Sequence, residues 1–186
     1  MSRTTLTARQ ADTVDRLGDA AVDEICAVGY DGLTVRNVAR RAGVAPATAY
    51  TYFASKDHLV AEVFWRRLHA LPPSRIDGRR SAAARVAAAL RDVTQLLAAE
   101  PELAAAATVA MLATDPAVKQ LRDRIGLEIR LRVADALGAD GDRGAVRALD
   151  LAISGAMLQA GMGHLNYDEL PDRLAEVVAL LLGAHR

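Results

Sequence analysis

The sequence predicts an all-α protein of about nine helices, a three-helix N-terminal unit followed by a longer helical body. Three observations predict it. Apolar residues recur every three or four positions along most of the chain, the spacing that gathers them on one helix face. Pro46, Pro101, Pro116 and Pro171, with Gly43, Gly138 and Gly141, punctuate these stretches where helices start or stop. No strand-like alternation of useful length appears. A chain of 186 residues with 52% hydrophobic content can bury a substantial core, as one compact fold or as two small ones sharing an interface.

The first helix carries the apolar stripe Val14, Leu17, Ala21, Ile25 and Val28, in steps of 3, 4, 4 and 3. Cys26 lies on it and is read as a small buried or half-buried residue; a lone cysteine forms no intramolecular disulfide and supplies no metal-ligand pair. Thr34 then stands where a helix N-cap belongs, its hydroxyl able to accept from an orphan backbone N–H, and Val35, Val38, Ala39 and Ala42 follow at helical spacing. Gly43 falls just past the last of them, where a left-handed backbone is cheapest for glycine, and Val44 plugs the turn. Pro46 suits the first position of the next helix, about Pro46 to Phe53. Two short helices joined by a tight glycine turn match the helix-turn-helix that lays its second helix in the DNA major groove.

On that reading Pro46, Ala47, Thr48 and Thr51 face base edges and Tyr50 and Tyr52 flank them, while Phe53 is core. None of the four has a bidentate side chain, so readout leans on thymine methyls and single hydroxyl bonds, with Arg36 as a guanine reader. From Leu33 to Lys56 the charged residues are Arg36, Arg40, Arg41 and Lys56, all positive, in a chain whose totals balance at 23 and 23. A polyanion therefore fits this segment and not the molecule at large. Lys56 opens the next helix behind Ser55 as N-cap, where a cation opposes the helix dipole and a phosphate gives it a reason to be there. Capping alone also accounts for Thr34, and Arg40 and Arg41 read as solvated or peripheral charges.

A helix from about Ser55, bearing Leu59, Val63, Phe64 and Leu68, ends at Leu71-Pro72-Pro73-Ser74. Six of the seven aromatics lie between Tyr30 and Trp65, leaving Tyr167 in an Ala- and Leu-rich remainder. Five further helices are expected at about 80–99, 102–113, 115–138, 142–164 and 171–184. The last two carry Val146, Leu149, Ile153, Ala156, Met157 and Ala160, then Leu174, Val177, Val178, Leu181 and Leu182, stripes that suit either their own core or a helix pair from a second subunit. Arg91, Arg122, Arg124, Arg130 and Arg132 read as solvated faces, with an acidic ligand group as the other use for them.

Chemistry is poorly represented. His58, His69, His164 and His185 are dispersed, no serine sits in a nucleophile-elbow context, and Gly161-Met162-Gly163-His164 closes a helix instead of following a strand. No catalytic residue, metal site or cofactor is expected. No apolar run is long enough to span a membrane, and MSRTTLTARQ has no apolar signal core, so the expected location is the cytoplasm.

Gly29-Tyr30, Ala42-Gly43-Val44, Tyr50-Thr51-Tyr52-Phe53 and Ser55-Lys56-Asp57-His58-Leu59 together resemble the N-terminal domain of TetR-family transcriptional regulators, over roughly residues 10 to 65. The resemblance implies a DNA-binding domain at 1–54 with its helix-turn-helix at about 34–53, a connecting helix at 55–71, and an effector-binding and dimerisation domain at 72–186. It implies that Arg36, Ala47, Thr48 and Tyr50 touch bases or adjoining backbone and that Tyr52 and Lys56 clamp phosphates. Ala45 and Ala47 depart from the serine and glycine common there; Ala45 cannot cap, and a lost cap costs about 0.5–2 kcal/mol.

The resemblance further implies a homodimeric repressor on a palindromic operator, released by a small effector, with Leu149, Ile153, Ala156, Ala160, Leu174, Val177, Val178 and Leu181 at the dimer interface. Leu97, Leu103, Val109, Met111, Leu112, Leu121, Ile125, Ile129, Met157 and Leu158 are the candidate pocket residues, and their aliphatic character favours a lipid-like or acyl ligand. A regulator of this fold without an effector and a helical binding module or enzyme are the other readings.

Overall fold

The structure, a computed structural model, describes residues 7–138, 141 and 143–183. Nine helices and no strand lie among them: α1 Ala8–Gly32, α2 Val35–Arg41, α3 Pro46–Tyr52, α4 Lys56–His69, α5 Ala82–Ala99, α6 Pro101–Ala110, α7 Pro116–Leu137, α8 Arg143–Gly161 and α9 Leu170–Gly183. Local chemistry fixes most of the ends. Thr7, Thr34, Ser55, Ser81 and Asp115 each cap a helix start by accepting a backbone N–H with a side-chain oxygen. Helix α8 stops short of the expected 164 because Gly163 turns to φ 77°, letting the Gly163 and His164 N–H groups reach back to the Ala160 and Gln159 carbonyls. Helix α6 likewise ends at Ala110 and not at 113, in a turn at Met111 and Leu112.

Helix α1 is broken near its end. Gly29 adopts φ 69° and ψ 176°, a region closed to residues with a Cβ, and beyond it the chain bends toward α2. Val28 and Cys26 are exposed, not on the buried stripe expected for Val28 nor half-buried as expected for Cys26; the inward face ends at Ile25.

The connecting helix α4 forms the hub. Leu59, Val60, Val63, Phe64 and Leu68 are all buried, against α1 on one side and α6 and α7 on the other. One continuous cluster of buried apolar residues runs from Val14 through α4 to Val178 of α9, crossing the expected boundary after residue 71 without a seam. Alanines do much of the filling on α6, where Ala104, Ala106, Ala107 and Ala110 are buried and let neighbouring helices come close.

Two polar ties fasten α4 to α7. At the N-terminal end the Ser55 hydroxyl, besides capping α4, donates to the Asp115 carboxylate that caps α7, at 3.1 Å. At the other end Arg132 of α7 is 8% exposed and donates to the Leu71 and Pro72 carbonyls, each at 2.9 Å, and to Glu128 at 3.1 Å. This corrects the expectation for Arg132, which is neither a solvated charge nor available to a ligand. Arg122 is spent on the Ala113 carbonyl, Arg130 on Asp150 and Arg91 on Asp172, while Arg124 stays on the surface.

The expected dimer stripe also needs correcting. Leu149, Ile153 and Ala160 of α8 and Leu174 and Val178 of α9 are buried in their own chain's core, with Ala156, Val177 and Leu181 half-buried beside them. Helix α8 carries a second apolar line two positions along, Leu151, Gly155 and Leu158, continued by Met162 in the turn just past its end, and this one faces outward, as does Leu180 on α9. Periodicity reveals that a helix has an apolar face but cannot rank two of them.

Candidate nucleic-acid interface

Helix α3 has only seven residues, so its surroundings must hold it. Ala49 is its single fully buried residue, the Ala45 carbonyl accepts from the Thr48 and Ala49 N–H groups, and Phe53 is buried just past its end. Gly43 makes the preceding turn at φ 66°, and the Val44 N–H returns to the Ala39 carbonyl at 2.9 Å. Ala45 gives no side-chain cap, as the sequence requires. Pro46, Ala47, Thr48, Tyr50 and Thr51 all stand exposed, as do Thr34 and Arg36 on the neighbouring helix start. Tyr52 is half-buried against the core, its ring 6.5 Å from that of Phe53.

Several of these groups are partly occupied within the chain. The Thr34 hydroxyl accepts from the Asn37 N–H at 3.1 Å, so its capping role is realised. The Thr51 hydroxyl donates back to the Ala47 and Thr48 carbonyls of its own helix, leaving it as an acceptor toward anything outside. Lys56 is half-buried, its Nζ 3.0 Å from the Tyr30 carbonyl and 4.2 Å above the Tyr30 ring, which aims the ammonium and leaves part of its donor capacity free. Arg36 has no ion-pair partner among the described residues, and Arg40 reaches Asn37 at 3.3 Å. Arg41 departs from the expected solvated charge: its Nε donates at 2.8 Å to Glu24, which is almost wholly buried in α1.

Contacts that no local pattern signals build the support. Tyr30 donates its phenol to Asp57, and burial, then that carboxylate, push the phenol well above its ordinary pKa, so it remains a donor at any physiological pH. Tyr30 thus pins the first turn of α4, with Lys56 on it, to the end of α1. Its partners lie 26 and 27 positions away, a separation that no local pattern signals. His58 packs edge-on against Phe53, ring centroids 5.8 Å apart, and its Nδ1 accepts from the Ala54 N–H.

The expected effector-pocket residues do not come together. Leu97, Leu103, Ile125 and Ile129 are buried in the main core, and Leu121 sits in a small cluster with Ala61 and Val118. Met111 and Met157 are half-buried, and Val109, Leu112 and Leu158 are exposed. A cavity of about 920 Å³ opens elsewhere, between the start of α5, the start of α8 and the end of α9, and none of the ten lines it. The Ala-rich helices close on one another where a pocket was expected. No helix among the described residues is long and apolar enough to cross a membrane, and no group of three or more potential metal ligands occurs among them.

The sequence profile described as bacterial regulatory proteins, tetR family, matches residues 17–63, spanning the helix-turn-helix and most of its supports. An HTH-type transcriptional regulator of Mycobacterium tuberculosis, itself uncharacterized, is 46% identical over 176 residues, covering 94% of this chain and 82% of that one. The HTH-type transcriptional repressor KstR of Rhodococcus jostii is 31% identical over 123 residues, 63% of this chain and 56% of that protein. Among solved structures, the transcriptional regulator FadR of Bacillus subtilis in complex with stearoyl-CoA superposes with a TM-score of 0.63 at 22% identity, over 92% of this chain and 99% of that one.

Proposed function

The chain belongs to the tetR family of bacterial regulatory proteins and is a transcriptional regulator, and from that premise we propose a homodimeric repressor that grips a palindromic operator through α3 and releases it when a small aliphatic or acyl-type effector enters the helical body. The observation that carries the DNA-binding part is the face of α3: five residues, Pro46, Ala47, Thr48, Tyr50 and Thr51, exposed on a short helix anchored from behind by Ala49 and Phe53. Thr48, Ala47 and the Thr51 methyl would read base edges, with Arg36 and Thr34 beside them, while Tyr50, Tyr52 and the Tyr30-aimed Lys56 take phosphates.

A two-fold dimer suits such a head, because half-sites then recur about 34–36 Å apart or at a multiple. The outward line Leu151, Gly155, Leu158 and Met162 with Leu180 supports pairing through α8 and α9, and a Cβ built on Gly155 meets nothing within 4 Å, so another helix has room to approach. Repression is favoured by the likeness to KstR, and an acyl-type effector by the stearoyl-CoA that the similarly folded FadR holds. Effector binding changes DNA affinity only through a ligand that distinguishes two states of the protein. The ties from α7 to the start of α4 and to Leu71 and Pro72 just past its end offer a route, by which a shift of α7 would be passed to the helix that bears Lys56.

The test is selection of bound fragments from random duplex DNA, followed by retardation of the selected fragment with and without acyl-CoA thioesters of graded chain length. A palindromic consensus released by one of them supports the whole reading. Failure of the protein to select any duplex overturns it. The closed packing around Leu97, Leu103, Ile125 and Ile129 favours a second reading, a regulator without an effector, which predicts selection of an operator that no ligand releases.

A further inference from the structure

The cleft that separates the first two turns of α1 from α3 was not among the sites the sequence suggested. It encloses about 460 Å³, and its walls include Arg9, Asp12, Thr13 and Arg16 from α1 and Thr48 and Tyr52 from α3. Thr48 and Tyr52 lie one turn apart on α3, and Arg9 and Thr13 one turn apart on α1, so the two helices face each other across the opening. Arg16 is turned inward onto Asp12, at 3.3 Å, and onto the Ala42 carbonyl, at 3.4 Å. The Thr13 hydroxyl is spent on the Arg9 carbonyl at 2.9 Å. Arg9 is exposed and has no ion-pair partner among the described residues, which leaves one uncommitted cation at the mouth.

We propose that this cleft receives the sugar-phosphate strand bordering the major groove that α3 occupies, with Arg9 as its phosphate contact and Asp12 as a built-in opposing charge held in check by Arg16. The proposal rests on the reading of α3 as the groove helix: DNA laid along Thr48 and Tyr52 must pass the cleft that those two side chains line. The chain's charges balance overall, so attraction to a polyanion has to come from individual uncommitted cations such as this one. Asp12 weakens the contact and sharpens the dependence on a well-placed strand.

The experiment uses the full chain and its selected duplex. Arg9→Gln should lower affinity about tenfold at 0.1 M salt, the order expected for one charge-assisted hydrogen bond. It should also reduce the slope of log affinity against log salt by about 0.9 for each phosphate that Arg9 no longer neutralises. Asp12→Asn, on the same exposed face, should raise affinity and leave the footprint in place. Arg9→Gln with parental affinity and slope, or Asp12→Asn with weakened binding, overturns the role given to the cleft, while the parent's own binding keeps α3 as the reading helix. A parent that binds no duplex overturns the reading on which the proposal stands.

Discussion

Single residues decide how the reading head is held. Gly29 and Gly43 both sit at positive φ with nothing within 4 Å of a built Cβ, so substitution there tests backbone conformation with little contribution from crowding. Gly43 is in the left-handed region, where alanine costs about 1–2 kcal/mol; Gly29 is in a region nearly restricted to glycine, and about 1–3 kcal/mol is expected. Denaturant titration should therefore rank Gly29→Ala as the less stable variant of the two. Arg41→Met should cost about 1–3 kcal/mol by leaving the Glu24 carboxylate buried and alone, whereas Arg40→Met, at a surface position paired only with Asn37, should stay within about 0.5 kcal/mol. The same titration checks both. The glycine turn, the Thr34 cap and the proline start of α3 were legible in the sequence because each depends on neighbours within a few positions. The pairings of Glu24 and Tyr30 were not, since their partners lie 17 to 27 residues off and no local pattern marks them, although Tyr30 itself stood out beside Gly29.

At the level of whole helices, proline and glycine punctuation located nearly every end to within a residue or two, because those residues act on the backbone directly. Which face points inward is a different matter. Helix α8 has two apolar lines, and only packing tells that Leu149, Ile153 and Ala160 turn in and Leu151 and Leu158 turn out. Leu151→Glu should accordingly convert a dimer to a monomer in sedimentation velocity while leaving the helical circular dichroism intact. Leu149→Glu, placing a charge in the core, should lose the helical signal itself. If Leu151→Glu remains fully dimeric, α8 does not pair through its outward line. The ten expected pocket residues scatter between core and surface for a related reason: leucines at helical spacing look alike whether they border a cavity or fill one.

Across the molecule, one continuous core runs from α1 to α9 and binds the three expected segments mechanically. The Ser55–Asp115 tie makes part of that union depend on pH. The Ala117 N–H, reinforced by the Ser55 hydroxyl and by His58, holds the Asp115 carboxyl below its ordinary value, so its contribution to stability is full at neutral pH and is lost as acid protonates it. The parent should melt above Asp115→Asn at neutral pH, and the gap should close as the pH falls below the usual carboxylate range. The sequence could not disclose this tie or the buried Arg132, since both join segments about 60 positions apart. A last consequence follows from how α1 consumes the cations around it: Asp15 and Asp19 hold Arg66 and Arg67, and Glu24 holds Arg41. Those three positive charges are thereby partly cancelled on the protein itself, so its grip on random chromosome should be weaker than its count of basic residues alone would give.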